Sequence, residues 1–177
     1  AVCEARGIPV VLAATGYTEA DEARIRSAAE KIAVFKTGNL SLGVNLLQML
    51  AKKAAQVLGD AFDAEIVERH HHNKKDAPSG TALMLAKSVN EGFGGGKENV
   101  YGRHGMVGER RQSEIGIHAV RGGTIVGEHE VMFAGEDEIV TLAHSARSRK
   151  VFASGALKAA AWLQGRAPGL YDMDDLL

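Results

Sequence analysis

The chain has 177 residues, which suits one substantial domain or one domain with part of a second. A formal net charge of −1 argues against nucleic-acid binding, which usually needs a strongly basic surface. No run approaches the ~20 apolar residues of a membrane helix, so no membrane partner is expected. The single cysteine, Cys3, excludes an intramolecular disulfide and predicts a cytoplasmic location.

The first elements predict a strand–helix–strand unit. The apolar run IPVVLAATG is typical of a buried strand, and Thr18 with Asp21 forms a capping-box pattern before a helical stretch. AVFKTGN predicts a second strand, so the two strands are expected to lie parallel. Ligands of such sheets bind beyond the carboxyl ends of the strands, here residues 13–16 and 36–39. The chain starts without methionine, at what reads as a helix end, and we expect that an N-terminal portion is missing.

The middle of the chain predicts two helices around one strand. Ser41 can cap the first helix, whose predicted apolar face consists of Val44, Leu47, Leu50, Ala54 and Leu58. Residues 64–69 predict a strand that ends at three histidines. Ser79 opens a second helix that closes near Gly92. The glycine-rich residues 91–112 are predicted to form a long, mobile loop.

Three further strands, at 113–121, 124–134 and 138–146, are expected to form an antiparallel meander. The middle strand carries apolar residues on both faces near its end, which favours contact between this sheet and another subunit. The residues concerned are Ile125, Val131 and Phe133 on one face and Val126 and Met132 on the other. A last helix, KVFASGALKAAAWLQG, and an acidic tail end the chain.

The stretch ERHHHNKKDAPSGTAL, residues 68–83, carries the chemistry. Pro-Ser-Gly-Thr at a helix start presents backbone N–H groups and the positive end of the helix dipole, which suits a carboxylate as well as a phosphate. Gly80 lets a ligand approach the backbone closely, and Ser79 and Thr81 add hydroxyl donors. The histidines can exchange protons near neutral pH, and Lys74 supplies a cation. The sequence therefore predicts an anionic small-molecule ligand.

The same residues allow other interpretations. A run of histidines also suits a solvated loop or a chance metal site, and Pro-Ser-Gly-Thr also suits an ordinary helix cap. Zinc is disfavoured because the neighbouring lysines repel a cation and neither an H-E-x-x-H pattern nor a cysteine pair is present. GFGGG lacks the G-x-G-x-x-G spacing of a dinucleotide loop. Four single histidines are predicted to be ordinary strand or loop residues: His104, His118, His129 and His144.

Residues 65–83, EIVERHHHNKKDAPSGTAL, resemble the E-x-H-H-x-x-K-x-D-A-P-S-G-T-A signature of the 4-hydroxy-tetrahydrodipicolinate reductase, or dihydrodipicolinate reductase, family. TGNLSLGVN, IGIHAVRGGTIVGEHEVMFAG and GLYDMDDLL are similar to other segments of that family. The resemblance implies an oxidoreductase of the diaminopimelate route to lysine that uses NADPH or NADH and acts on a cyclic imine-type dicarboxylate. It also implies homotetramers. The fold implied is α/β, with a mixed, largely antiparallel sheet and flanking helices in an α+β substrate domain, plus the remnant of a Rossmann-type parallel sheet.

The resemblance implies a role for each matching residue. His70 matches the catalytic histidine that gives or takes a proton, and Lys74 matches the lysine that donates one. His71 matches a substrate-contacting histidine, and Gly80 and Thr81 match the pair that holds a substrate carboxylate. No residue is implied to bind a metal. Two stretches match the cofactor site: Ala13, Ala14 and Thr15, and Thr37, Gly38, Asn39 and Leu40.

Some residues depart from the family pattern. Ala13 and Ala14 replace glycine and threonine, and Leu40 stands where phenylalanine is common, which affects cofactor contacts rather than the substrate motif.

The resemblance also implies domain limits. Residues 1–40 are expected to be the remnant of the dinucleotide-binding domain, 41–150 the substrate-binding and tetramerisation domain, and 151–177 a helix and tail that return to the first domain. The glycine-rich fingerprint of the family would precede Ala1, so we expect the chain alone to bind nucleotide weakly and not to turn over. Two alternatives stay open, a non-catalytic dicarboxylate-binding oligomerisation module and a histidine-based metal hydrolase.

Overall fold

The computed structural model describes residues 1–14 and 16–177 and divides into two compact units. The first unit comprises residues 1–45 and 149–177, and the second comprises residues 46–148. The domain limits inferred from the sequence stay a prediction. In chain order the elements are α1 (Val2–Ala5), β1 (Val10–Leu12), α2 (Glu19–Ala29), β2 (Ala33–Lys36), α3 (Leu42–Leu58), a 3-10 turn (Gly59–Ala61), β3 (Asp63–His70), α4 (Gly80–Gly92), β4 (Glu98–Tyr101), β5 (Glu114–Arg121), β6 (Glu128–Ala134), β7 (Ile139–Ser145), α5 (Lys150–Leu163), β8 (Gly169–Tyr171) and α6 (Met173–Leu176).

The first unit contains a parallel three-stranded sheet in the order β1-β2-β8. Alternation along β2 sends Phe35 to the core formed with α5 and Val34 to the core formed with α2. The predicted strand–helix–strand unit is confirmed, and so is the capping box, since the Asp21 backbone N–H donates to Thr18 Oγ1 at 3.2 Å. The segment predicted as an acidic tail contains β8 and α6. The sequence did not indicate β8 because a three-residue strand shows too few side chains for a periodic pattern.

The second unit contains a mixed five-stranded sheet in the order β4-β5-β3-β6-β7. β3 is parallel to β5 and antiparallel to β6. β4 pairs with β5 in parallel and β6 pairs with β7 in antiparallel, so the predicted mixed sheet with flanking helices is confirmed. The predicted meander of the last three strands is wrong at its first pairing. Only β6 and β7 are hydrogen-bonded neighbours, because β3 occupies the place between β5 and β6.

One face of this sheet is covered by α3 and α4. The core lies between these helices and the inward side chains of the central strands, which include Ile66, Ile117, Val131 and Phe133. The predicted face of α3 is wrong at Leu50, which is 47% exposed. The smaller Ala51 and Ala55 are fully buried instead, because α3 packs closely against α4.

Residues 91–112 are not entirely a loop. α4 extends to Gly92, and β4 adds an edge strand at Glu98–Tyr101. Two arginines of the following segment bind one carboxylate of β3. Arg103 lies 3.0 Å from both Glu65 oxygens, and Arg110 Nε donates to Glu65 Oε1 at 2.8 Å. The loop prediction failed at β4 because an exposed edge strand of polar residues lacks the apolar alternation that marks a half-buried strand.

Candidate active site

The end of β3 brings a carboxylate and a histidine into the helix-covered side of the sheet. Side chains alternate along the strand, so Ile66, Glu68 and His70 share one face. Glu68 is 0% exposed and His70 is 9% exposed. A buried carboxylate is stable only when charged or hydrogen-bonding groups replace the water that it has lost.

Glu68 has three partners, one on its own strand and two from other parts of the second unit. Its Oε2 lies 2.6 Å from His70 Nδ1. Arg121, at the end of β5, donates to both carboxylate oxygens at 2.8 and 2.7 Å, and the Ser79 backbone N–H donates to Oε1 at 2.9 Å. Burial opposes ionisation of Glu68, but the hydrogen bonds from Arg121, His70 and Ser79 outweigh it, and its pKa lies below the usual range. The carboxylate is therefore ionised at neutral pH.

The start of α4 has the geometry of an anion site. Ser79 caps the helix, because its Oγ accepts from the Ala82 backbone N–H at 3.2 Å. Gly80 is the first residue of the helix and is exposed. No atom lies within 4 Å of the position that a Cβ on Gly80 would occupy. The backbone on this side of the helix start is thus open to a ligand.

His129, on β6, contacts both parts of the site. Its Nε2 lies 2.9 Å from Ser79 Oγ, and its ring packs edge-on against that of His70 with centroids 5.2 Å apart. Burial lowers the pKa of His129 to about 4, with further lowering from the charges of His70 and Lys74. The prediction that His129 is a strand residue is correct, but the structure adds contacts that the sequence did not indicate.

The loop after β3 carries Lys74 and His71. The Lys74 ammonium lies 2.8 Å from Asp76 Oδ1, and its side chain is 19% exposed. Its backbone N–H donates to the His71 carbonyl at 3.1 Å. Arg121 donates to the Asp76 carbonyl at 2.8 Å, so the same arginine binds Glu68 and this loop. Of the three consecutive histidines, His72 is exposed and His70 is buried.

Thus the second unit brings together most of the residues that the sequence singled out for substrate. His70 and the start of α4 share Glu68 as a hydrogen-bond partner. Lys74 is near enough for its charge to affect His129, which itself touches His70. The roles of these residues stay predictions.

The predicted cofactor residues lie in the first unit. Ala13 and Ala14 follow β1 and are exposed, while Thr15 lies outside the described residues. The second stretch follows β2 and is ordered by local hydrogen bonds. The Asn39 carbonyl accepts from Thr37 Oγ1 at 3.0 Å and from Asn45 Nδ2 at 2.8 Å. Gly38 is exposed and Leu40 is buried. Because β1 and β2 are parallel neighbours, both stretches leave the same edge of the sheet.

A cavity of about 370 Å³ also lies in the first unit, between α1, α2 and the sheet. Its lining includes Cys3, Tyr17 and Ile25 but none of the predicted cofactor residues that the structure describes.

Two kinds of feature are absent from the part of the chain that the structure describes. Within residues 1–14 and 16–177, no three side chains of histidine, cysteine, aspartate or glutamate are grouped so that they could hold a metal ion. In the same residues no helix combines the length and the apolar composition that a membrane span needs.

Three site residues were missed by the sequence analysis: Glu68, Arg121 and His129. One signal was available for Glu68. The alternation that buries Ala64 and Ile66 also places position 68 inside, and a carboxylate there requires buried partners. Nothing local marks Arg121 or His129, because their partners lie tens of residues away in the sequence.

Comparisons with known proteins identify the family of this chain. Residues 43–177 match the family model described as dihydrodipicolinate reductase, C-terminus. The chain is 55% identical over 172 residues to the 4-hydroxy-tetrahydrodipicolinate reductase of Caldanaerobacter subterraneus subsp. tengcongensis, covering 97% of this chain and 68% of that protein. It is 55% identical over 177 residues to the enzyme of the same name from Thiobacillus denitrificans, covering 99% of this chain and 66% of the relative.

A solved structure shows the same fold. Dipicolinate-bound dihydrodipicolinate reductase from Paenisporosarcina sp. TG-14 matches with a TM-score of 0.78 and 28% identity, over 99% of this chain and 67% of that one. The chain thus spans about two thirds of the length of the relatives that it matches. From the family model and these relatives, the chain belongs to the dihydrodipicolinate reductase family.

Proposed function

We propose that this chain supplies the substrate site and part of the cofactor site of a reductase that converts 4-hydroxy-tetrahydrodipicolinate to tetrahydrodipicolinate in lysine biosynthesis. The observation that carries the proposal is the shared carboxylate of Glu68. It binds His70 Nδ1 at 2.6 Å and the Ser79 backbone N–H at 2.9 Å, which holds a proton carrier beside a helix start suited to anions.

The substrate in this proposal is a ring with two carboxylates. One carboxylate binds at the start of α4, where Gly80 leaves the backbone open and Thr81 adds a hydroxyl. His71 contacts the substrate from the neighbouring loop. The related protein of known structure is named as dipicolinate-bound, and dipicolinate is an aromatic ring with two carboxylates.

Two side chains are proposed to move or hold protons. His70 gives or takes a proton at Nε2, the ring nitrogen that does not face Glu68. Lys74 donates a proton and balances the negative charge of the substrate. Positioned proton transfer of this kind is typically worth about 10² to 10⁴ in rate. Asp76, 2.8 Å from Lys74, holds the ammonium in place.

The first unit is proposed to contact a nicotinamide cofactor, NADPH or NADH. The residues present fit such a group, since Ala13, Ala14 and residues 37–40 leave the same edge of a parallel sheet, where open α/β sheets bind ligands. When bound, the reduced nicotinamide supplies a hydride. In the proposal Ala13, Ala14 and Thr15 line its nicotinamide end, and Thr37 to Leu40 form a second contact.

We further propose that the working protein is a cytoplasmic homotetramer. Support comes from the sheet of the second unit, since α3 and α4 cover one face and partly exposed side chains such as Met132 and Val67 occupy the other.

Calorimetry with pyridine-2,6-dicarboxylate tests the substrate class, with and without a chelator. The proposal expects binding that survives chelation, because backbone N–H groups and cationic side chains hold the anion. Binding that requires added zinc would favour the metal hydrolase instead. Binding without reduction, even in a protein with a complete dinucleotide-binding domain, would favour the non-catalytic module.

A Gly80→Ala variant separates binding from folding. No atom lies within 4 Å of the added methyl group, so the variant should be as stable as the parent chain. The methyl group would stand in front of the helix start and should weaken pyridine-2,6-dicarboxylate binding about tenfold or more. Lys87→Ala, a change in the same helix at an exposed lysine, should leave affinity unchanged. If the parent chain, Gly80→Ala and Lys87→Ala bind pyridine-2,6-dicarboxylate with equal affinity, the start of α4 is not the anion site.

Two matched pairs of variants test the proton carriers. Lys74→Ala is compared with Lys75→Ala, and His70→Ala with His72→Ala, since Lys75 and His72 are exposed neighbours in the same motif. In a protein with a complete dinucleotide-binding domain, the first member of each pair should reduce kcat by about 10² or more. The second member should remain near the parent value. Full activity in both Lys74→Ala and His70→Ala would show that the roles are wrongly assigned.

A further inference from the structure

We propose that Glu68 is a positioning residue that holds neutral His70 as the Nδ1–H tautomer and fixes its Nε2 relative to the start of α4. The inference rests on the proposed function and names a residue that acts through its neighbours, without touching the substrate. Its starting point is geometric, because one buried carboxylate contacts both the histidine and the helix cap.

The carboxylate can only accept hydrogen bonds. Glu68 is 0% exposed, and Arg121 donates to both of its oxygens. Its lowered pKa leaves it without a proton at neutral pH. An ionised carboxylate has no donor, so the partner across the 2.6 Å contact has to donate. That donor is Nδ1–H of His70.

Fixing one ring nitrogen of a neutral histidine fixes the other. When Nδ1 carries the proton, Nε2 carries the lone pair and becomes the site of proton exchange. A neutral histidine side chain in water favours the Nε2–H tautomer, so the contact with Glu68 selects the less common form. The other charged or titratable groups in this neighbourhood include Arg121, Lys74, Asp76 and His129, with His144 next to His129 on β7. His129 points its Nε2 at Ser79 instead and does not compete for Glu68.

A glycine lies against the second ring nitrogen of His70. Gly127 is buried, and a Cβ at this position would lie 3.0 Å from His70 Nε2. A side chain there would crowd the atom that the tautomer leaves available. Gly127 therefore preserves the space that Nε2 needs.

The same carboxylate also sets where the anion site lies. The Ser79 N–H bonds to Glu68 Oε1 and the His70 ring bonds to Oε2, so the helix start and the proton carrier are held by the two oxygens of one group. Arg121 holds both oxygens and the Asp76 carbonyl, which prevents the carboxylate from rotating. The expected result is a fixed separation between Nε2 of His70, where the proton is exchanged, and the bound carboxylate.

Long-range ¹H–¹⁵N spectra of the histidine rings in the 177-residue chain test the tautomer directly. At pH 8 the inference expects Nδ1 of His70 to be protonated and Nε2 to show the shift of an unprotonated ring nitrogen. Glu68→Gln should change this pattern, because an amide can also donate to Nδ1 and release the Nε2–H form. The wild-type spectrum decides even if this variant does not fold, since an Nε2–H signal for His70 overturns the inference.

Glu65→Gln is the matched control. Glu65 lies on the same strand and is also bound by arginines, but Arg103, Arg110 and His118 hold it on the opposite face of the sheet. This variant should leave the His70 spectrum unchanged. An equal effect of both substitutions would reveal a general loss of structure and would overturn the positioning role.

Affinity for pyridine-2,6-dicarboxylate separates this inference from the proposed function. Glu68→Gln should bind about tenfold or more weakly than wild type, because the hydrogen bonds of a charged group are lost. If the wild type does not bind, the proposed function fails while the tautomer result still stands. If the wild type binds and Glu68→Gln retains both affinity and the Nδ1–H tautomer, the inference fails alone.

Discussion

Acidification should destabilise the second unit through His129. The ordinary pKa of 6.5 falls to about 4 in the folded chain, mainly because burial disfavours the imidazolium. Between these values the unfolded chain binds a proton that the folded chain does not, so stability is present above pH 6.5 and is lost as the pH falls towards 4. Each pH unit in this window costs about 1.4 kcal/mol, or about 3 kcal/mol in total. That is a large part of the 5–15 kcal/mol that is typical of a domain.

The perturbation that isolates this effect is His129→Gln, which keeps a polar group near Ser79 but cannot titrate. Urea unfolding followed by circular dichroism at pH 7 and pH 4.5 should show a drop in stability that is about 2–3 kcal/mol smaller in the variant. His144 is half-buried, and burial lowers its pKa as well, but this histidine is present in both proteins. His72→Gln, at an exposed position, should behave like wild type. Equal drops in wild type and His129→Gln, or a His129 ring that titrates near pH 6.5 by NMR, would refute the reasoning.

The remaining predictions concern close packing and a second carboxylate. Gly116→Ala should lower the free energy of unfolding by about 2 kcal/mol or more, because its Cβ would overlap the arginine-bound carboxylate of Glu65. Thermal unfolding of the variant and the wild type measures this loss. Gly155→Ala should destabilise the first unit by at least as much, because its Cβ would overlap the Leu40 carbonyl oxygen. Trp162 fluorescence reports on unfolding of that unit, and an unfolding transition that does not shift would contradict the packing. Burial opposes ionisation of Glu65, but its arginine and histidine partners lower the pKa from 4.5 to about 2. The stability that ionised Glu65 contributes is therefore lost as the pH falls from 4.5 to 2. In that pH range the free energy of unfolding of Glu65→Gln should fall less steeply than that of the wild type.

Local sequence patterns predicted the secondary-structure elements well where residue type and spacing favour the same element. The Thr18 capping box, the strand at 64–69 and the Ser79 cap all follow from residue type and spacing, and the structure contains each of them. The meander failed because strand order is decided by which strands fit together. A glycine pair after residue 121 resembles a hairpin turn, yet β3 takes the place between β5 and β6.

The candidate site likewise combines features set by local sequence with features set by long-range contacts. The sequence by itself determined the composition of the motif, with its histidines, Lys74 and the open helix start at Gly80, since these groups lie within one continuous segment. Only the tertiary structure decided that Glu68 joins them, because its ionisation depends on Arg121, which lies 53 residues away in the sequence. Long-range hydrogen bonds and burial set the charge states of buried groups, and neither is encoded in local spacing.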